Sequence, residues 1–143
     1  MRKKILAVAA AVSLFVPVIS EAADLEIRGI MKKLGSRTEE VVRGISAGDF
    51  KLIEKNALLL ADHEKPPISE RLRILGFLKT DASGFKAIDE GIHENAAKLA
   101  EAAQKQDQEA VLTHFSEVLK SCVKCHTQYR GRIIEHFYKE EKN

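Results

Sequence analysis

Two cysteines and a histidine near the C-terminus form the most specific chemical pattern in this sequence. Positions 122–126 read CVKCH, the C-x-x-C-H spacing of covalent haem attachment, and the chain has no other cysteine. On a helix Cys122, Cys125 and His126 share one face, because they are three and four residues apart. Both sulfurs can then reach the vinyl groups of one porphyrin while the imidazole reaches its iron. The pattern predicts one covalently attached haem c.

Three other uses of the cysteines agree less well with the sequence. A thioredoxin-like dithiol follows a strand at the start of a helix, whereas this pair lies late in a helical segment. A zinc site needs a fourth ligand, and the adjacent Cys125 and His126 seldom both bind one tetrahedral ion. A disulfide across four residues of a helix is geometrically awkward. Haem attachment is therefore the favoured interpretation.

Four long segments with apolar residues at helical spacing must position this motif. They cover residues 25–45, 50–63, 85–103 and 107–137. Asp49 and Asp107 are suited to cap the second and the fourth helix, and Pro66 and Pro67 end the second. Residues 68–80 read as a short helix or a packed connection. The predicted fold is all-α, an antiparallel up-down-up-down four-helix bundle with the haem on the last helix.

The inward face of the last helix follows from the same spacing. Its predicted buried positions include Val118, Cys122, His126, Tyr129 and Ile133. No catalytic apparatus accompanies them in the sequence, since there is no nucleophile with its base and no carboxylate pair at a recognisable spacing. We therefore expect a protein that is not an enzyme.

The N-terminal residues have the pattern of a secretory signal peptide. Residues 2–4 are basic, residues 5–19 form an apolar run, and Ser20 and Ala22 are small residues before a cleavage site. The run is shorter than the roughly 20 apolar residues of a membrane-spanning helix. Cleavage after Ala22, or after Ala23, leaves residues 23–143 as a single domain. We expect that domain in the periplasm without a membrane anchor.

Charge excludes nucleic acid as a partner. The chain has 23 Lys and Arg against 21 Asp and Glu, but three of the basic residues and one acidic residue lie within residues 1–22. The mature domain therefore has equal numbers of both and lacks the excess of basic residues that nucleic-acid binding requires. Its composition, 45% hydrophobic and 31% charged, is that of a folded globular protein.

The C-terminal stretch CVKCHTQYR, residues 122–130, resembles the class II c-type cytochromes, which include cytochrome c′. In motif the resemblance covers chiefly the last helix, and in architecture it covers the mature chain. It implies thioether links at Cys122 and Cys125 and His126 as the proximal iron ligand. It also implies that Arg130 lies near the haem edge or a propionate. Redox proteins would be the partners, and homodimerisation is suggested only by the resemblance to cytochrome c′.

The sixth iron ligand separates two functions within this family. A five-coordinate iron with an apolar distal side binds nitric oxide or carbon monoxide in cytochrome c′, whereas a methionine on the first helix gives a six-coordinate electron carrier. Met31 is the only methionine after residue 22, and antiparallel packing would place it at the same end of the bundle as His126. Arg28 precedes it by three residues, where the family often has four, a register that would put Lys32 at the distal site. The preferred prediction is His126 and Met31 ligation and one-electron transfer.

The other histidines are weaker candidates as ligands. His63 ends the second helix at the haem end and is the second candidate. His114 precedes His126 by twelve residues, or about 18 Å of helix, and cannot reach the same iron. His93 and His136 are expected to be surface or partly buried residues.

Overall fold

The computed structural model describes residues 25–138, and the predicted signal peptide at residues 1–22 lies outside them. The described part contains six α-helices: α1 (Glu26–Ala47), α2 (Phe50–Ala61), α3 (Ile68–Leu78), α4 (Ala82–Gln104), α5 (Gln108–Cys125) and α6 (Gly131–Phe137). A 3₁₀ turn, Lys79–Asp81, joins α3 to α4, and a π turn, His126–Arg130, joins α5 to α6. No strand occurs within residues 25–138, so the predicted all-α fold is confirmed.

Four helical rods form the predicted bundle. The first three are α1, α2 and α4, and the fourth runs through α5, the π turn and α6 without leaving helical conformation. Helix α1 packs against α2, α2 against α4, and α4 against α5. The short α3 lies in the connection between the second and third rods, where the sequence predicted a short helix or packed segment.

Local sequence signals determine where the chain turns between α1 and α2 and between α4 and α5. Gly48 ends α1 with a left-handed φ of 67°, and its N–H and that of Asp49 donate to carbonyls in the last turn of α1. The Asp49 side chain then accepts a hydrogen bond from the Leu52 N–H at 3.0 Å, which caps α2. Asp107 accepts from the Ala110 N–H at 3.0 Å and caps α5. Both predicted capping residues are confirmed.

Two clusters of buried side chains fill the bundle. The first cluster draws on all four rods, and its fully buried members include Val41, Ile53, Leu60, Leu99, Val111 and Val118. The second cluster joins the start of α1 to α3, α4 and the end of the last rod, through Leu25, Ile74, Leu78, Ile88, Tyr129 and Ile133. The second cluster lies beside the C-x-x-C-H motif, because Cys125 packs against it.

A buried glutamate on α3 holds the start of α1. The Glu26 N–H donates to Glu70 Oε2 at 2.7 Å, and the Ile27 N–H donates to Glu70 Oε1 at 2.8 Å. Glu70 is only 7% exposed. The first N–H groups of a helix have no partner within the helix, and a carboxylate also suits the positive end of the helix dipole. A side chain distant in sequence therefore caps the helix that carries Met31.

The last rod is tied to the rest of the bundle by two tyrosines. The Tyr129 hydroxyl donates to the Asp81 carbonyl at 3.4 Å, and its buried ring meets the Phe85 ring edge-on at 5.3 Å. The Tyr138 hydroxyl donates to the Leu25 carbonyl at 3.2 Å. These contacts fix the end of the last rod against the starts of α4 and α1.

Candidate haem site

The two cysteines lie on the last turns of α5, and both thiols are free and half-buried. Cys122 packs against the first core cluster and Cys125 against the second. Burial raises the pKa of the Cys122 thiol, and it raises the pKa of Cys125 to about 11, with the charge of Asp89 adding to the effect. Burial therefore keeps both sulfurs as protonated thiols at neutral pH.

His126 is exposed, so the prediction that it lies in the buried stripe of the last rod is wrong. The π turn begins at this residue, and a π turn takes more residues for each revolution than an α turn. Tyr129 stays buried on the core side, while His126 and Arg130 lie on the exposed side. The imidazole and guanidinium are consequently one turn apart on the same accessible surface, next to the cysteines.

Met31 lies on α1. Its side chain is 37% exposed and lines a cavity of about 120 Å³. Apolar residues of three helices also line the cavity, namely Ile27, Ile30, Ile74, Leu75 and Phe85. His63 and Asp89 contribute to the same lining. The structure thus brings together Met31 and His63, the two sequence candidates for the distal side, whereas His126 and Arg130 do not line this cavity.

These residues agree in type with a covalently bound haem. Two reduced, protonated thiols and an accessible imidazole occupy neighbouring positions on one helix. Apolar side chains with a thioether among them face a cavity at the end of the bundle where the second core cluster lies. Cys122, Cys125 and His126 would hold the haem. The Met31 side chain lines the cavity and is partly exposed, so it is accessible to a ligand there.

A cluster of His63, Asp89 and His93 was not predicted as a unit. The imidazole rings of His63 and His93 stack with centroids 4.4 Å apart and an angle of 4°. The carboxylate of Asp89 lies 3.6 Å from the Nε2 atom of each. Asp89 raises the pKa of His63 although burial opposes this, and His63 lowers the pKa of Asp89. The four-residue spacing of Asp89 and His93 was the only local signal, because His63 comes from the segment that follows α2.

The remaining histidines lie outside these groups. His136 stacks on the Phe77 ring with centroids 4.0 Å apart, in the last rod beyond the π turn. His114 is half-buried on α5. The exposed position of His136 agrees with the expectation that it is a surface or partly buried residue.

Comparison with known proteins gives one family match. The model of the cytochrome C' family matches residues 78–130, from the end of α3 to the last residue of the π turn. No curated protein and no solved structure matches the chain. Within residues 25–138, no helix is both long and apolar enough to cross a membrane. The matched stretch contains Cys122, Cys125, His126 and Arg130, and it confirms the resemblance of the chain to the class II c-type cytochromes.

Proposed function

We propose that the protein is a periplasmic mono-haem cytochrome that carries single electrons. The observation that carries the proposal is the C-x-x-C-H motif within the stretch that matches the family, with both thiols free, half-buried and beside an accessible His126. Haem, when bound, supplies an iron that alternates between the ferrous and ferric states. Cys122 and Cys125 attach it, and His126 provides the proximal nitrogen.

Met31 provides the sixth ligand in this proposal. It is the only methionine in residues 23–143, and its thioether lies at the cavity rather than in the core. The Glu70 cap fixes the first turn of α1. Neighbouring apolar side chains such as Ile27, Ile30 and Phe85 exclude water, which limits the reorganisation that accompanies electron transfer. Ligation by His126 and Met31 raises the reduction potential and closes the iron to small ligands.

A second candidate function is the binding of nitric oxide or carbon monoxide at a five-coordinate iron. The specific observation in its favour is the exposure of Met31, because a side chain that faces solvent leaves Ile27 and Ile30 as the apolar distal surface. In this case Met31 has a packing role and the cavity beside it admits the diatomic ligand.

Two further properties belong to the proposal. Cytochrome c′ family members are typically periplasmic, which agrees with export by residues 1–22. Redox proteins are the proposed partners, and a homodimer is proposed on the resemblance alone. We propose a carrier and not an enzyme, because residues 25–138 bring no nucleophile together with a base.

Visible spectra of the haem-loaded protein and its Met31→Ala variant test the ligand. We expect the wild-type ferrous protein to be low-spin and slow to bind carbon monoxide, and the ferric protein to show the weak near-infrared band of methionine ligation. Met31→Ala should become high-spin, bind carbon monoxide quickly and have a lower potential, because the thioether is lost.

Val42→Ala is the matched control, since Val42 is an exposed apolar residue of the same helix that does not line the cavity. Its spectra should equal those of the wild type. A wild-type protein that is already high-spin, with spectra unchanged by Met31→Ala, would establish the gas-binding candidate instead.

A further inference from the structure

We propose that His63, Asp89 and His93 form a binding site for one divalent transition-metal ion, with Zn²⁺ as the probe, distinct from the haem iron. The site lies where the end of α2 meets the middle of α4. One ligand atom from each residue falls within 4.8 Å of the other two. The proposal does not depend on whether Met31 binds the haem iron.

Both imidazoles have their Nε2 atoms near the Asp89 carboxylate. The Nδ1 atom of His63 lies 2.9 Å from the Leu60 carbonyl oxygen, and the Nδ1 atom of His93 contacts the Ala61 carbonyl oxygen. A carbonyl oxygen can only accept a hydrogen bond, so each Nδ1 carries the proton and donates it. Each neutral ring then has its lone pair on Nε2. Metal-binding histidines in proteins are oriented by this same hydrogen bond.

The two carbonyl groups are available because α2 ends there. Leu60 and Ala61 lie in its last turn, where carbonyl oxygens have no N–H partner within the helix. The imidazoles satisfy these oxygens and are held side by side as a result. The close, parallel stacking of the two rings follows from their attachment to adjacent residues of one helix end.

The Nε2 atom of His93 lacks a hydrogen bond. It is buried and has no hydrogen-bond partner among the described residues. A buried acceptor without a partner destabilises a protein, because it loses its hydrogen bond to water and gains none in return. A metal ion at this atom would satisfy it. The Asp89 carboxylate supplies the negative charge that a divalent ion needs. Its Oδ1 atom lies 3.6 Å from the Nε2 atom of His63, and its Oδ2 atom lies 3.6 Å from the Nε2 atom of His93.

The donor set and its surroundings indicate the class of metal. Two imidazole nitrogens and one carboxylate suit zinc, copper or nickel, whereas magnesium and calcium prefer oxygen ligands alone. Bonds to zinc of about 2.1 Å place tetrahedral ligand atoms about 3.4 Å apart, close to the two distances from Asp89. Because the rings are stacked nearly parallel, they must rotate before both Nε2 lone pairs point at one ion. The cavity lined by His63 and Asp89 provides access for the ion.

The test is calorimetric titration of Zn²⁺ into haem-loaded, tag-free protein that has been stripped with a chelator. We expect one zinc ion per chain. His93→Gln and Asp89→Asn should each weaken binding at least tenfold. His114→Gln is the matched control, because it removes another half-buried histidine outside the cluster, and it should bind zinc as the wild type does.

Cu²⁺ added in place of Zn²⁺ provides a second readout, since its electron paramagnetic resonance spectrum should show two coordinated nitrogens. Circular dichroism of each variant shows whether it is folded, and Asp89→Asn is the less disruptive of the two because the Asp89 side chain is 43% exposed. Absence of binding tighter than millimolar, or equal zinc affinity in the cluster variants and His114→Gln, would overturn the proposal. Neither result bears on haem attachment, which is measured by mass.

Discussion

Asp89 is the residue whose charge reaches both groups of functional side chains. Its carboxylate lies 3.6 Å from His63 and from His93, and it adds to the effect of burial on the pKa of Cys125. The His63 side chain is only 8% exposed. Charge at Asp89 therefore affects protonation of a histidine and of a haem-attaching thiol at the same time.

Stability should depend on pH through the pair of His63 and Asp89. The pKa of His63 is raised above its usual 6.5, so its contribution is full below pH 6.5 and is lost as pH rises through the folded value. The pKa of Asp89 is lowered below its usual 3.8, so its contribution is present above that pH and is lost as pH falls through the folded value. The pair thus stabilises the fold most between these limits. Urea unfolding should show Asp89→Asn to be more destabilising at pH 5 than at pH 8.

Glu64→Gln is the control for this experiment. It removes a carboxylate whose side chain is 68% exposed and which pairs with Lys33. Its effect on stability should be equal at pH 5 and pH 8. The same destabilisation by Asp89→Asn at both pH values would contradict the assigned pair.

At the scale of single helices, the first turn of α1 depends on Glu70. Glu70→Ala leaves the N–H groups of Glu26 and Ile27 without their partner, and we expect a loss of about 1–3 kcal/mol in the free energy of unfolding. Glu70→Gln keeps one acceptor oxygen and should lose less. Hydrogen exchange should be faster at the amides of Glu26 and Ile27. Glu90→Ala, an exposed substitution on α4, should change neither measurement, and unchanged exchange in Glu70→Ala would refute the cap.

Two glycines of α1 should respond in opposite directions to alanine. A Cβ at Gly44 would meet Ile53 Cγ1 at 2.7 Å, and Ile53 is fully buried and cannot move aside. Gly44→Ala should therefore lower the free energy of unfolding by about 1–3 kcal/mol. At Gly35 nothing lies within 4 Å, so Gly35→Ala should raise it by about 0.5–1 kcal/mol through the helix preference of alanine. Thermal unfolding of both variants measures this, and equal shifts would contradict the close packing of α1 on α2.

The sequence predicts the helices well because their signals are local. Apolar spacing, the Gly48 break and the Asp49 and Asp107 caps each act within a few residues, and the structure confirms them. The π turn that begins at His126 has no such signal. Packing between distant segments decides the rest.

The sequence pattern did not predict contacts between residues that are distant in sequence. Glu70 caps a helix more than 40 residues away, and His63 meets Asp89 and His93 across a helix interface. Neither a carboxylate on an amphipathic helix nor a histidine at a helix end differs locally from a solvated residue. The placement of Met31 on a cavity with His63 is observed, and its ligation of iron stays a prediction.

At the scale of the whole molecule, the two core clusters should respond differently to the loss of haem. Only the second includes residues of the short α3 and of the last rod beyond the motif. A Cys122→Ser, Cys125→Ser variant should lose its haem in acid-acetone extraction, with amide exchange rising more around Ile88 and Ile133 than around Leu99. Mass spectrometry and hydrogen exchange measure both effects.

The single variant Cys122→Ser is the control, because one remaining thioether should keep the added haem mass through extraction. Haem that is extracted from the wild-type protein itself would contradict covalent attachment.

The hydrogen bond from the Tyr138 hydroxyl to the Leu25 carbonyl joins the last described residue to the first. The two ends of the described chain therefore lie close together, at the end of the bundle that holds the second core cluster. The two ends could be linked by a short peptide and the chain cut instead in the turn at Gly48, where the backbone is exposed. The fold depends on which helices are in contact. A circularly permuted chain, in which the helices occur in a different order, could keep the same contacts.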